Sequence, residues 1–246
     1  MSKPENNELL LNMPTTVISK LLKFCYFIMV FLLVSCGETD TKKTEDTSVS
    51  VEQSSDTKQT KAIGKTILCF GDSITAGYGL NDTNDAYTGV LQERIDSLKM
   101  DYKVINSGVS GETTAGGKSR IDWVIKQKPT FFILELGAND GLRGVALAET
   151  QSNLQAIINV VKENSPKTTI MLAGMQLPPN MGADYTTKFR QLFIDVAQEN
   201  NIGFIPFILK DVGGIPSLNQ KDGIHPNVEG HKIVANNVWE VIKPLL

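Results

Sequence analysis

The sequence predicts an α/β fold in which a parallel sheet of about five strands carries helices on both faces. Three observations lead there. From Thr66 onward, short apolar runs rich in β-formers alternate with longer amphipathic ones, the order expected of strand–helix units. The short runs are apolar almost throughout, as in strands covered on both sides. The 246 residues of the chain suffice for one sizeable domain and hardly for two.

The elements follow in order. "TILCF" (66–70) is the first strand, and a helix is expected near 86–99, where Val90, Leu91, Ile95 and Leu98 recur on one face. "YKVINS" (102–107) precedes a helical pattern at 114–127, and "TFFILEL" (130–136) precedes one at 147–164. "TTIMLAG" (168–174) precedes 184–200, and a weaker strand, "IGFIPF" (202–207), precedes 227–242. No internal repeat is visible. In open parallel sheets, ligands bind beyond the carboxyl ends of the strands, so residues just after each strand are where chemistry is expected.

The chain ahead of this domain is of another kind. Lys20 and Lys23 precede about eleven apolar residues, too few to span a bilayer comfortably. A basic flank with a short apolar core is the layout of a secretory signal, expected over 1–35. Its end, "LVSCG" (Leu33 to Gly37), resembles a bacterial lipobox, which makes Cys36 the expected site of lipidation and a membrane the expected partner. Acyl chains contribute roughly 0.8 kcal/mol per buried methylene, enough for several to anchor a protein. The plainer alternatives are an ordinary signal peptide or an anchor helix. The leader before Lys20 is long and holds Glu5 and Glu8, which makes Met13 a candidate start. Residues 36–63 are almost all polar and cannot offset their ordering entropy, so a flexible tether is expected there, with the folded domain at 64–246.

Composition excludes some classes. The net charge is −3 and the Lys and Arg residues are scattered, so no nucleic-acid groove is expected. Three cysteines are too few for a disulfide framework, and Cys69, inside the first strand, reads as a small buried thiol.

Ser73 lies immediately after the first strand, in "GDSITAGYG". A serine hydroxyl is a poor nucleophile unless a base takes its proton and a third group orients that base. Only His225 and His231 are available. His225 stands in "DGIHPN", where an Asp-Gly turn can return the Asp222 carboxylate to the imidazole, and Pro226 suits the first turn of a following helix. His231 falls within that helix, where an exposed or half-buried position without a catalytic role is expected. Developing negative charge needs donors already in place. "NSGVSGETT" after the second strand offers backbone N–H groups at Gly108 or Gly111, and "ELGANDGLRG" after the third offers the Asn139 amide. Singly these are commonplace loops; on three successive strand ends, with Asp-x-x-His at the C-terminus, they are much less ordinary.

"GDSITAGYG", "GVSGET", "GANDGLRG" and "DGIHPN" resemble the four signature blocks of the SGNH, or GDSL, hydrolases, in matching order from Thr66 to the C-terminus. "ELGANDGLRG" and "LPPNMG" (Leu177 to Gly182) are especially similar to the acyl-CoA thioesterase and lysophospholipase branch. The resemblance implies a three-layer α/β/α sandwich. It implies Ser73 as nucleophile, His225 as general base and Asp222 as the acid that orients it. The oxyanion hole would comprise the N–H of Ser73, the N–H of Gly111 (favoured over Gly108 by aligning "SGE") and the Asn139 amide. Asp72 would shape the loop by hydrogen bonding. No metal or organic cofactor is needed, and no Gly-x-Ser-x-Gly elbow is present.

Leu142, Leu177, Pro178, Pro179 and Met181 lie in loops expected to flank the nucleophile, an apolar rim suited to an acyl chain. The expected activity is hydrolysis of acyl esters, thioesters or lysophospholipids in the cell envelope. A glycan O-deacetylase of the same family is the enzymatic alternative. A lipoprotein that only binds lipid or glycan is the non-catalytic one, and four intact reactive positions count against it.

Overall fold

The computed structural model describes residues 64–246. The expected leader, Cys36 and the expected tether lie outside the described residues. Among the described residues there are five strands: β1 (Lys65–Gly71), β2 (Tyr102–Gly108), β3 (Phe131–Glu135), β4 (Thr169–Ala173) and β5 (Gly203–Ile205). They form one parallel sheet in the order β2-β1-β3-β4-β5. Between them run α1 (Ser73–Ala76), α2 (Tyr87–Ser97), α3 (Thr114–Val124), α4 (Ala138–Leu142), α5 (Leu147–Asn164) and α6 (Ala183–Asn200), and α7 (Val228–Ile242) follows β5.

The chain moves outward from β1 to β2 and then crosses back to β3. The carboxyl ends of β1 and β3 therefore border the switch point where such sheets open a crevice. Helices cover both faces, giving the three-layer α/β/α sandwich: α2 packs on α7, while α3 packs on α5 and α5 on α6. The central strand β1 reads as an apolar run because both faces are covered, with Ile67, Leu68, Cys69 and Phe70 all fully buried, whereas the edge strand β2 is mixed and largely half-buried. Burial pushes the Cys69 thiol up to about 12, which keeps it protonated and unreactive.

His231 departs from the expectation. It is only 1% exposed and lies on the buried face of α7 with Val234, Ala235 and Val238. Its Nδ1 accepts the backbone N–H of Tyr87 at 3.2 Å, which ties α7 to the start of α2. Burial, with the nearby charge of His225, lowers its pKa to about 4, so the ring is neutral. This histidine is a satisfied core residue, not a surface one. Two elements also differ. β5 is shorter than 202–207, and the "GAND" loop contains the single-turn helix α4.

Candidate active site

The turn that carries Ser73 is built by packing beneath it. Gly71 ends β1 in a position where a Cβ would run into Thr75 Oγ1 and Glu135 Oε2. The Asp72 carboxylate then caps α1, accepting the Ile74 N–H at 3.0 Å through Oδ1. Ser73 is the first residue of α1 and is 8% exposed; Gly77, at φ 74°, closes the turn. Below it, Oε2 of the fully buried Glu135 accepts the Asp72 N–H at 3.2 Å and the Thr75 hydroxyl at 2.7 Å. Burial, and then the charge of Asp72, raise the Glu135 pKa well above the usual carboxylate range, which favours the neutral acid. Asp72 itself is pushed up to about 6 by burial, against the opposing hydrogen bonds from Ile74 and Asn139. It is therefore ionised at neutral pH.

The imidazole arrives from the other end of the chain. His225 Nε2 lies 2.9 Å from Ser73 Oγ, and its Nδ1 lies 2.7 Å from Asp222 Oδ2. A proton on Nδ1 serves Asp222 and leaves Nε2 to accept from the serine hydroxyl. Asp222 Oδ1 also accepts the N–H groups of Ile224 and His225, at 3.0 and 3.1 Å, across a turn in which Gly223 takes φ 78°. Partial burial would raise the Asp222 pKa, but the hydrogen bonds from His225 and Ile224 outweigh it and hold the acid below its ordinary value. Asn227 caps α7 through the Gly230 N–H, so the histidine stands at a loop-to-helix junction. Two contacts that sequence reasoning missed hold the ring. Tyr78 packs against it with ring centroids 4.7 Å apart. Gln220 Nε2 donates to the carbonyls of both Tyr78 and Pro226, at 2.6 and 3.0 Å.

The two remaining loops are pinned to each other. The Asp140 carboxylate in α4 accepts the Thr114 N–H at 2.8 Å, as well as the Thr114 hydroxyl, joining the loop after β3 to the start of α3. Arg120 pairs with Glu112, donates to the Ser107 carbonyl at 2.9 Å and lies over the Phe70 ring. The glycine alternatives separate here. The Gly108 N–H is taken by Asn106 Oδ1 at 2.9 Å, and the residue packs on the Ala76 backbone. Gly111, at φ 79°, lines the cavity instead. Among the described residues, neither its N–H nor that of Ser73 has a hydrogen-bond partner. Asn139 Nδ2 donates to Asp72 Oδ2 at 3.2 Å.

Ser73, His225, Gly111 and Asn139 all open onto one cavity of about 650 Å³. Leu142, Leu177, Pro178 and Pro179 line it as expected, joined by Tyr78 and Ile224. Met181 does not line it, although it shares the 3-10 turn Pro179–Met181 with Pro179, which does. Among the described residues, no group of three His, Cys, Asp or Glu side chains is placed to hold a metal ion. Chemically, the site offers a hydroxyl in contact with a base, an acid fixing that base, unpaired donors nearby and an apolar chamber.

Comparison with known proteins gives concordant results. Residues 69–233 match the GDSL-like lipase/acylhydrolase family. The chain is 40% identical over 187 residues to esterase TesA of Pseudomonas aeruginosa, covering 76% of this chain and 92% of that protein. It is 32% identical over 186 residues to thioesterase 1/protease 1/lysophospholipase L1 of Escherichia coli K12, covering 75% and 86%. Among solved structures, the psychrotrophic esterase EstA from Pseudoalteromonas, inhibited by monoethylphosphonate, superposes with a TM-score of 0.69 at 32% identity, over 74% of this chain and 98% of that one.

Proposed function

The chain belongs to the GDSL-like lipase/acylhydrolase family and is a hydrolase of ester bonds; from that premise we propose that it works as a serine esterase through an acyl-enzyme. The observation that carries this reading is the unbroken chain from Ser73 Oγ through the imidazole to Asp222, at 2.9 and 2.7 Å. In the first half-reaction Ser73 Oγ attacks the acyl carbonyl carbon while His225 Nε2 takes the hydroxyl proton. The negative charge on the carbonyl oxygen is met by the N–H groups of Ser73 and Gly111 and by the Asn139 amide. Collapse of the tetrahedral species expels the alcohol or thiol, which receives the proton from His225. Water repeats the sequence on the acyl-enzyme, giving the carboxylic acid and restoring Ser73. Asp222 remains a carboxylate throughout and stabilises the imidazolium.

The substrate class follows from the chamber. Leu142, Leu177, Pro178 and Ile224 present carbon rather than hydrogen-bonding groups, which suits an acyl chain of several carbons. Relatives named esterase, arylesterase and lysophospholipase support acyl esters and lysophospholipids as substrates here. The lipobox-like "LVSCG" supports an exported enzyme anchored through Cys36 in a bacterial envelope. An exported enzyme would not meet acyl-CoA, which is cytoplasmic. The test is a series of p-nitrophenyl esters of increasing chain length, hydrolysed by the detergent-solubilised full chain. Activity sustained or rising beyond acetate supports the reading; activity confined to acetate points instead to a glycan O-deacetylase. Transfer of a Cys36→Ser variant from the membrane fraction to the soluble fraction tests the anchor.

A further inference from the structure

Arg143 follows α4 directly and is exposed. Its Nη2 lies 3.0 Å from the Gly111 carbonyl oxygen and 3.4 Å from Asn139 Oδ1. This nitrogen carries two hydrogens, one for each acceptor. The helical spacing from Asn139 to Arg143 sets the guanidinium over the amide, since residues four apart share a face.

The consequences differ at the two acceptors. Asn139 is held between opposite charges, with its Nδ2 on the Asp72 carboxylate at 3.2 Å and its Oδ1 on Arg143. A flipped amide would set oxygen against carboxylate and NH₂ against guanidinium, unfavourable at both ends. The charge pair therefore selects the orientation that sets the NH₂ group on the Asp72 side, beside the turn that carries Ser73. Gly111 has no side chain to lock it and sits at φ 79°. A Cβ built there would have only Arg143 Nη2 within 4 Å, so little else packs against this residue. Among the described residues, Arg143 is the partner of its carbonyl.

We propose that Arg143 is a positioning residue: one guanidinium nitrogen holds Gly111 and Asn139, the two oxyanion donors outside the nucleophile turn, in register with each other. The proposal rests on the oxyanion roles assigned above. Arg143 does not line the cavity; it acts through those two donors.

The test is a double-mutant cycle on p-nitrophenyl acetate with the detergent-solubilised full chain, using Arg143→Met, Arg143→Lys, Asn139→Ala and the Arg143→Met/Asn139→Ala pair. Loss of a whole oxyanion donor costs about 10²–10³ in turnover, and Arg143→Met should lose a part of that, about 10–50-fold in kcat. KM should stay within about two-fold, the signature of an interaction that matters in the transition state. Arg143→Lys should recover part of the loss, because an ammonium can still serve one acceptor. In the Asn139→Ala background, Arg143→Met should cost clearly less than it does in the wild type, since only its hold on Gly111 is left to lose. The proposal is overturned if Arg143→Met leaves kcat near wild type, if KM alone rises, or if the losses multiply in the double variant. An Asn139→Ala variant with wild-type turnover would overturn the oxyanion assignment itself, and Arg143's role with it. Should Arg143→Met fail to fold, a second cycle of Arg143→Lys, Asn139→Ala and Arg143→Lys/Asn139→Ala carries the same comparison.

Discussion

The side-chain nitrogen of Asn139 and the carboxylate oxygen Oδ2 of Asp72 are 3.2 Å apart, so the acid preceding Ser73 orients the amide across from it. Asp72 thus has two structural tasks, capping the turn that holds Ser73 and aligning Asn139.

Replacing this acid separates activity from stability. Its pKa is raised from 3.8 to about 6 in the folded protein, so the native state binds more protons than the unfolded chain between those values. Ionising Asp72 therefore costs stability as pH rises through about 6. In Asp72→Asn that cost is absent. Relative to wild type, the variant should gain melting temperature between pH 4 and pH 8 while losing about ten-fold or more in turnover, because Asn139 is no longer aligned. Thermal melts at the two pH values, beside an ester assay, measure both.

Asp222 should respond differently. Its carboxyl is held below its ordinary value despite partial burial, by hydrogen bonds from His225 and Ile224. The acid stays ionised as pH falls, so the acceptor facing His225 Nδ1 is retained in acid solution. Asp222→Asn removes the acceptor that fixes the His225 tautomer and should lower kcat by about 10²-fold or more, with a much smaller change in KM.

His231 governs acid stability from outside the site. Its folded-state pKa is lowered from 6.5 to about 4, so the unfolded chain binds more protons in that interval. The stability it contributes is complete above about 6.5 and is lost as pH falls toward 4. Asp72 slopes the opposite way in part of the same window, so each is read as a difference from wild type. His231→Gln should lower stability at pH 7, because the Tyr87 N–H loses a well-placed acceptor, yet lose less than wild type on going to pH 4. Urea midpoints across that range check the sign.

Much of this was legible in the sequence. The helix at 147–164 has the same bounds as α5, and the first four strands agree to within a residue at each end, because strands buried on both faces and helices with one buried face have distinct apolar periods. Ser73, His225 and Asp222 could be matched because two turn-rich loops carry them at strand and helix ends. What escaped notice depends on contacts between distant loops. Glu135 reads as an ordinary charged residue until its place under Gly71 is known, and Arg143 as a surface cation until Gly111 is seen beside it. α4 is too short to show a period. His231 was detectable: Val234, Ala235 and Val238 stand three, four and seven residues on, which already marks its face as buried.

The reading as a whole depends on Ser73 forming a covalent intermediate. The most direct measurement is mass spectrometry of the full chain after treatment with an alkyl phosphonate ester, in parallel with ester hydrolysis. One adduct per chain is predicted, on the peptide containing Ser73, with activity lost in proportion to labelling. An unlabelled Ser73 in a chain that still hydrolyses esters, or inactivation through an adduct elsewhere, would contradict it.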